Sequence, residues 1–259
     1  MPEGDTLFVT ARVLAKALQG RTVTAVRRDA RLPASLDPTG LRIEEVSALG
    51  KNLLVRFSDG RVLRTHLRMT GSWHLYRPGE AWKLPARRAR LVLETDAWIA
   101  VCFSAPEIEL LPPGGAARHP TLATLGPDLL RDGFDAIRAR ENLKSFAAEP
   151  LAVSLLRQRA VAGIGNLWRC ETLFLLALDP LRSTGERSDA ELDLVLATAR
   201  RLMREAARPY AGAPGLARPR PQVHDRAGAP CPRCGELVRV RALGDPPRNL
   251  FYCPACQTR

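Results

Sequence analysis

The chain has 259 residues, 46% of them hydrophobic, with a formal net charge of +12 and a pI near 10.3. That length gives room for about two domains with proper cores, and no apolar run approaches the roughly 18 to 20 residues of a membrane span. The acidic N-terminus lacks the basic flank and apolar centre of a signal peptide, so the sequence reads as soluble and cytoplasmic.

The positive charge is nearly all arginine, only Lys16, Lys51, Lys83 and Lys144 being lysines. It suits a polyanionic partner, because each phosphate neutralised by a cation releases counterions; a solvated basic surface is the alternative.

Met1-Pro2-Glu3-Gly4-Asp5 opens the chain. Removal of Met1 would leave Pro2 as a terminal secondary amine, able to attack a carbonyl-like carbon and form an iminium, with a fraction unprotonated near neutral pH. Glu3 follows directly and could move protons for it. The plainer reading is a polar lead-in with Asp5 or Thr6 capping a helix over Leu7 to Leu18, ended by Gly20.

From Arg21 to about Pro112 the pattern is mostly strand: residues 22–26, 43–46, 53–57, 62–67, 90–94 and 97–101 are short and rich in β-formers, with Ser58-Asp59-Gly60 as a hairpin turn. Several short strands at this spacing predict a sandwich or barrel. Gly50-Lys51-Asn52 puts Lys51 at the start of a strand, either facing a ligand above the sheet edge or solvated in a loop. His66-Leu67-Arg68-Met69-Thr70-Gly71 ends another strand in a loop where Met69 stands between polar neighbours. It could wedge between stacked bases or close the end of the sandwich. Cys102 and Cys170, in apolar surroundings, read as packing material.

Pro112-Pro113-Gly114-Gly115 is a breaker cluster and the expected domain boundary. Beyond it the pattern is helical over residues 134–148, 151–158, 167–177 and 189–207, with Ser188 as an N-cap. Gly163-Ile164-Gly165-Asn166 permits a tight reversal with Asn166 capping the next helix, which would aim backbone N–H groups and the positive end of the helix dipole at an anion.

Residues 211–221, rich in Pro, Ala, Gly and Arg, read as a linker. Cys231-Pro-Arg-Cys234 and Cys253-Pro-Ala-Cys256, eighteen residues apart, suit four thiolates around one structural Zn2+ in a hairpin too small to fold alone. Its tip carries Arg248, free to offer a bidentate guanidinium.

Pro2-Glu3-Gly4, Gly50-Lys51, His66 to Gly71, Gly163 to Asn166 and the four-cysteine finger occur in one order over nearly the whole chain. Together they resemble the formamidopyrimidine-DNA glycosylase and endonuclease VIII family of bifunctional DNA repair enzymes. The resemblance implies an α+β fold: an N-terminal catalytic β-sandwich with flanking helices over 1–112, a helix-two-turn-helix DNA-binding domain over 113–210, a linker over 211–221 and a zinc-finger hairpin over 222–259. It also implies a Schiff base on Pro2, Glu3 as the adjoining acid/base, Lys51 in β-elimination, Arg248 in δ-elimination and Asn166 on a phosphate. Arg68 and Met69 are DNA-contact candidates, Arg68 without a matching family residue.

The implied substrate is double-stranded DNA with oxidised bases or abasic sites, handled by a monomer in the cytoplasm at the nucleoid. Gly4 and Phe103-Ser-Ala-Pro-Glu-Ile-Glu109 look like the endonuclease VIII versions, so oxidised pyrimidines are expected; oxidised purines, or damaged-DNA binding without turnover, are the alternatives. Thr6 stands where relatives carry a second carboxylate, and the linker falls where relatives have a lesion-contacting loop.

Overall fold

The computed structural model describes residues 2–210, 213–216 and 219–259 and divides the chain into two compact units, Met1–Ala123 and Thr124–Arg259. In the first, helix α1 (Gly4–Leu18) buries Leu7, Ala11, Leu14 and Leu18 along one face, the spacing of an amphipathic helix. It starts earlier than the sequence suggested. Glu3, not Asp5 or Thr6, is the N-cap, because Glu3 and Thr6 form a capping box in which the Thr6 hydroxyl accepts the Glu3 N–H at 3.4 Å.

Eight strands follow: β1 (Ala25–Arg28), β2 (Ile43–Leu49), β3 (Asn52–Phe57), β4 (Val62–His66), β5 (Ser72–Tyr76), β6 (Ala89–Glu94), β7 (Ile99–Phe103) and β8 (Glu107–Leu111). They form two antiparallel four-stranded sheets, ordered β2-β3-β4-β8 and β1-β6-β7-β5. Val46, Leu53, Val55 and Leu63 of one sheet share a core with Leu91, Leu93, Ala100 and Cys102 of the other and with the buried face of α1. This is the expected sandwich. The second sheet is buried on its other face too, where Tyr76, Val92, Val101 and Phe103 lie under Trp82 and Leu84.

The unit continues past the expected break at Pro112. Helix α2 (Gly115–Arg118) folds back, the Gly115 N–H donating to the Pro112 carbonyl at 2.7 Å, and His119 Nε2 meets a Glu109 carboxylate oxygen at 3.0 Å. These ties hold the Pro-Pro-Gly-Gly segment to β8, and the change of unit comes after Ala123.

In the second unit, α3 (Ala136–Lys144), α4 (Leu151–Ser154), α5 (Asn166–Leu175) and α6 (Asp189–Ala206) surround a core containing Leu143, Leu151, Trp168, Phe174, Leu196 and Met203. Ser188 caps α6 as expected, its hydroxyl accepting the Glu191 N–H. Short strand β10 (Ala213–Leu216), inside the stretch read as a linker, pairs with β9 (Pro209–Tyr210) just before it; residues 211, 212, 217 and 218 of that stretch lie outside the described residues, as does Met1. The last hairpin is β11 (Arg239–Leu243) with β12 (Arg248–Tyr252), in register from Arg239↔Tyr252 to Leu243↔Arg248. Among the described residues no helix is long and apolar enough to cross a membrane.

Candidate active site and nucleic-acid interface

Pro2 and Glu3 stand immediately ahead of α1. Pro2 is half-buried, whereas Glu3 is 1% exposed and Asp5 fully buried. As N-cap, the Glu3 carboxylate sits at the positive end of the helix dipole, which favours negative charge there. Thr6, at the third helical position, completes the cap with a hydroxyl.

Lys51 lies in the two-residue turn of the β2–β3 hairpin, where Leu49 pairs with Asn52 and Gly50 takes φ +59°. A left-handed residue of this kind is what primed hairpin turns need, so glycine precedes the lysine for a geometric reason. Helix α1 packs against both strands of that hairpin, and Pro2, Glu3 and Lys51 belong to the same unit.

The β4–β5 loop is more tightly built than its sequence implies. Arg68 takes φ +48°, its N–H donating to His66 Nδ1 at 3.2 Å, and its guanidinium binds Glu107 Oε1 through Nε at 2.6 Å and Nη2 at 2.5 Å. Glu107 Oε2 accepts from Arg64 Nη2 at 3.0 Å. Arg64, only 2% exposed, also donates to Asn52 Oδ1 at 2.9 Å and Glu109 Oε1 at 3.2 Å. Burial would push the Glu107 carboxyl up, but hydrogen bonds from Arg68 and Arg64 outweigh it and hold the group below the usual carboxylate range. The His66 imidazole is pushed down to about 4, first by burial and then by the charges of Arg68, Arg64 and Lys51, against the pull of Glu107. Met69 stands 60% exposed between Arg68 and Thr70.

Sequence reading missed this network. The signal was there: Arg64 breaks the apolar run Val62-Leu63, and a cation facing inward on a strand needs carboxylates on its neighbour. Glu107 and Glu109 supply them from one face of β8, Glu109 directly opposite Arg64 in the register.

In the second unit α5 carries the phosphate-site candidate. Gly165, not Asn166, is its N-cap; Asn166 is the first helical residue and 9% exposed. Its side chain cannot cap because it is used elsewhere: Nδ2 donates to the Asn249 carbonyl at 2.8 Å, and Oδ1 accepts from Arg169 at 2.5 Å. The turn before it is braced by Gln158, which accepts the Gly163 N–H at 3.1 Å and donates to the Ile164 carbonyl at 3.0 Å, while Gly163 takes φ +98°. Asn166 thus adjoins the residue that follows Arg248, and the two phosphate candidates share one locality.

The finger is docked on α5 from both ends. Arg233, inside the first Cys-x-x-Cys, donates to the carbonyls of Phe174 at 2.9 Å and Leu175 at 3.0 Å and lies over the Phe174 ring, a cation on the negative end of the helix. Glu171 accepts backbone N–H groups from Gln222, Val223 and His224 at 2.8, 3.0 and 2.9 Å, tying down the chain that enters the finger. Neither role was visible in the sequence, since an arginine and a glutamate on a polar surface announce no partner.

The sulfurs of Cys231, Cys234, Cys253 and Cys256 lie within 4.8 Å of one another, with Cys231–Cys256 at 3.9 Å and Cys234–Cys253 at 3.5 Å. Four thiolates at the Zn–S distance of about 2.3 Å stand about 3.8 Å apart in a tetrahedron, so this cluster fits a zinc site.

Residues 1–106 match the formamidopyrimidine-DNA glycosylase N-terminal domain and residues 125–213 the formamidopyrimidine-DNA glycosylase H2TH domain. The chain therefore belongs to the formamidopyrimidine-DNA glycosylase and endonuclease 8 family. It is 39% identical to "Probable endonuclease 8 2" of Streptomyces coelicolor, covering 99% of this chain and 94% of that one. It is 36% identical to the DNA-(apurinic or apyrimidinic site) lyase Nei2 of Mycolicibacterium smegmatis, over 100% and 99% of the two chains. Among solved structures, the MutM (Fpg) protein of Thermus thermophilus matches with a TM-score of 0.82 at 30% identity, covering 99% of this chain and 98% of the other.

Proposed function

We propose that this chain is a bifunctional DNA glycosylase and abasic-site lyase of base excision repair, removing oxidised bases, pyrimidines by preference, and cutting the strand by β,δ-elimination. The observation that carries this reading is the Pro2-Glu3 step: a proline ready to become a terminal secondary amine beside a carboxylate held as the buried N-cap of α1.

A damaged base must leave the stack before its glycosidic carbon can be reached. Met69, exposed on a braced loop, fills the space the base leaves. The Pro2 nitrogen attacks C1′ of the everted nucleotide as the bond from C1′ to the base breaks, and proton transfer through Glu3 serves the opening of the sugar. The iminium so formed acidifies C2′. Removal of a C2′ proton expels the 3′ phosphate, with Lys51 serving this β-elimination, and a second elimination, in which Arg248 takes part, expels the 5′ phosphate. Asn166 and the N-terminus of α5 position the backbone through its phosphates.

Cys231, Cys234, Cys253 and Cys256 hold one Zn2+, whose chemistry is structural because four thiolates leave no open position. The protein acts as a monomer on double-stranded DNA, in the cytoplasm at the nucleoid.

Pyrimidine preference is supported by Gly4 and by the segment Phe103 to Glu109, and by relatives bearing the endonuclease 8 name. Borohydride treatment with a duplex carrying an abasic site tests the chemistry: a covalent complex is expected with the mature protein and none with Pro2→Gly. A mature wild-type protein that never traps sinks the reading. Parallel duplexes with an oxidised pyrimidine or an oxidised purine test the preference, and faster excision of the purine overturns it.

A further inference from the structure

The β4–β5 loop holds one large apolar side chain in solvent and ties down the backbone on both sides of it. Before Met69, Arg68 is fixed at its N–H by His66 and at its guanidinium by Glu107. After Met69, Thr70 Oγ1 donates to the Ser104 carbonyl at 3.1 Å. Gly71 closes the loop where no side chain fits, since an added Cβ would lie 2.7 Å from the Leu67 carbonyl oxygen and 3.0 Å from Ala105 Cα.

Energetics argue that the Arg68–Glu107 pair serves geometry rather than stability. Arg68 is 57% exposed at its side chain, and exposed ion pairs contribute little to stability. Against that stands a non-glycine residue at positive φ, where the Cβ crowds the backbone. A surface loop with no task has no reason to keep a strained arginine beside an exposed methionine. Glu107 is also a firm anchor, because its other oxygen is held by the buried Arg64.

Resting on the proposed function, we infer that Glu107 is a positioning residue: by clamping Arg68 it sets the loop that presents Met69, and so governs eversion of the damaged base more than the eliminations that follow. Glu107 need not touch DNA to do this. Its two oxygens divide their work, Oε2 staying on Arg64 to keep the carboxylate in place while Oε1 holds the loop.

The experiment compares single-turnover excision of an oxidised pyrimidine with strand cleavage at a preformed abasic site, where no base has to be displaced. Wild type, Arg68→Ala, Glu107→Gln and the double variant are measured, with a fluorescent adenine analogue next to the lesion reporting unstacking. Each single variant should lower the ratio of excision to abasic-site cleavage about tenfold and slow the unstacking signal, and the double variant should be no worse than either alone. An unchanged ratio in Arg68→Ala overturns the inference, as does additive loss in the double variant. Should Glu107→Gln fail to fold, because the buried Arg64 loses one of its two charge partners, Arg68→Ala decides alone, its side chain being mostly solvent-exposed. A wild-type protein with neither activity refutes the proposed function; an active wild type with an unchanged ratio refutes only the role of Glu107.

Discussion

The Asn166 side chain donates to the Asn249 carbonyl at 2.8 Å. That carbonyl also accepts from the buried Arg169 at 3.1 Å, so the first residue of α5 and the strand carrying Arg248 are joined at one atom. Asn166→Ala removes the amide and the acceptor for Arg169 together. A lost buried hydrogen bond of this kind costs about 1–3 kcal/mol. The variant should bind a duplex with an abasic-site analogue about tenfold more weakly by fluorescence anisotropy, with its zinc content unchanged. If Arg248 meets a phosphate as proposed, Arg248→Ala should lower the slope of log affinity against log salt by about one.

Zinc removal should undo the same locality. The finger's core side chains are few, Val238, Leu250 and Phe251 among them, so the proposed zinc would carry its fold. One zinc per chain is expected by mass spectrometry. Chelation should release the Arg233 clamp on the Phe174 and Leu175 carbonyls and lower DNA affinity at least tenfold. Tryptophan fluorescence of Trp73, in the sandwich, should persist in a variant lacking the other tryptophans.

Glu3 has an observed capping role and a proposed catalytic one, and one substitution separates them. Glu3→Gln keeps a side-chain oxygen for the capping box with Thr6 but removes the carboxylate proposed to move protons. Far-ultraviolet circular dichroism and melting temperature should stay within about 2 °C of wild type, a cap change costing well under 1 kcal/mol in this direction. Excision should fall by about 10²- to 10⁴-fold. A large loss of melting temperature would mean that the cap needs the charge itself. A protein that retains Met1 should show no lyase activity through Pro2, which intact-mass measurement alongside trapping can check.

Much of this was legible in the sequence because it is local. The sandwich, the Ser188 cap and the two Cys-x-x-Cys pairs follow from spacing and residue type, whereas Lys51, expected at the start of a strand, stands in the turn just before it. What was missed depends on neighbours far along the chain. Strand β5 mixes Trp73, His74 and Tyr76 without clean alternation, and β8 has glutamates at positions 107 and 109 whose purpose appears only once Arg64 lies opposite. The helix expected over residues 151–158 stops at Ser154, where the backbone tightens into turns such as Arg157 N–H to the Ser154 carbonyl at 3.0 Å. Asn166 looked like a cap because the residue type favours caps; the finger's backbone claims its amide instead.

His66 makes the first unit sensitive to acid. Its folded pKa of about 4 lies below the ordinary 6.5, so the unfolded chain takes up the proton more readily. The stability from keeping His66 neutral is complete above pH 6.5 and is lost as pH falls toward 4. The full shift corresponds to about 3 kcal/mol, and partial solvent access reduces it to about 1–2 kcal/mol. The melting temperature should drop by roughly 2–6 °C more between pH 7.5 and pH 5 than in His66→Asn, which keeps an acceptor for the Arg68 N–H but does not titrate. Equal drops in the two proteins would assign the acid sensitivity to other groups.

Gly71 tests whether the loop is as closely packed as its contacts indicate. A methyl group there would stand 2.7 Å from the Leu67 carbonyl oxygen, 2.9 Å from Leu67 Cα and 3.0 Å from Ala105 Cα, all backbone atoms that cannot turn aside. Overpacking of this kind costs about 1–3 kcal/mol. Gly71→Ala should therefore lower the melting temperature by several degrees. Because relief can come only from moving Leu67 away from Ala105, Met69 would shift with it, and excision should suffer more than cleavage at a preformed abasic site. Gly79 provides the matched control: nothing lies within 4 Å of its added Cβ. Its positive φ of 84° gives Gly79→Ala a backbone cost alone, so that variant should lose stability with excision and abasic-site cleavage changing together.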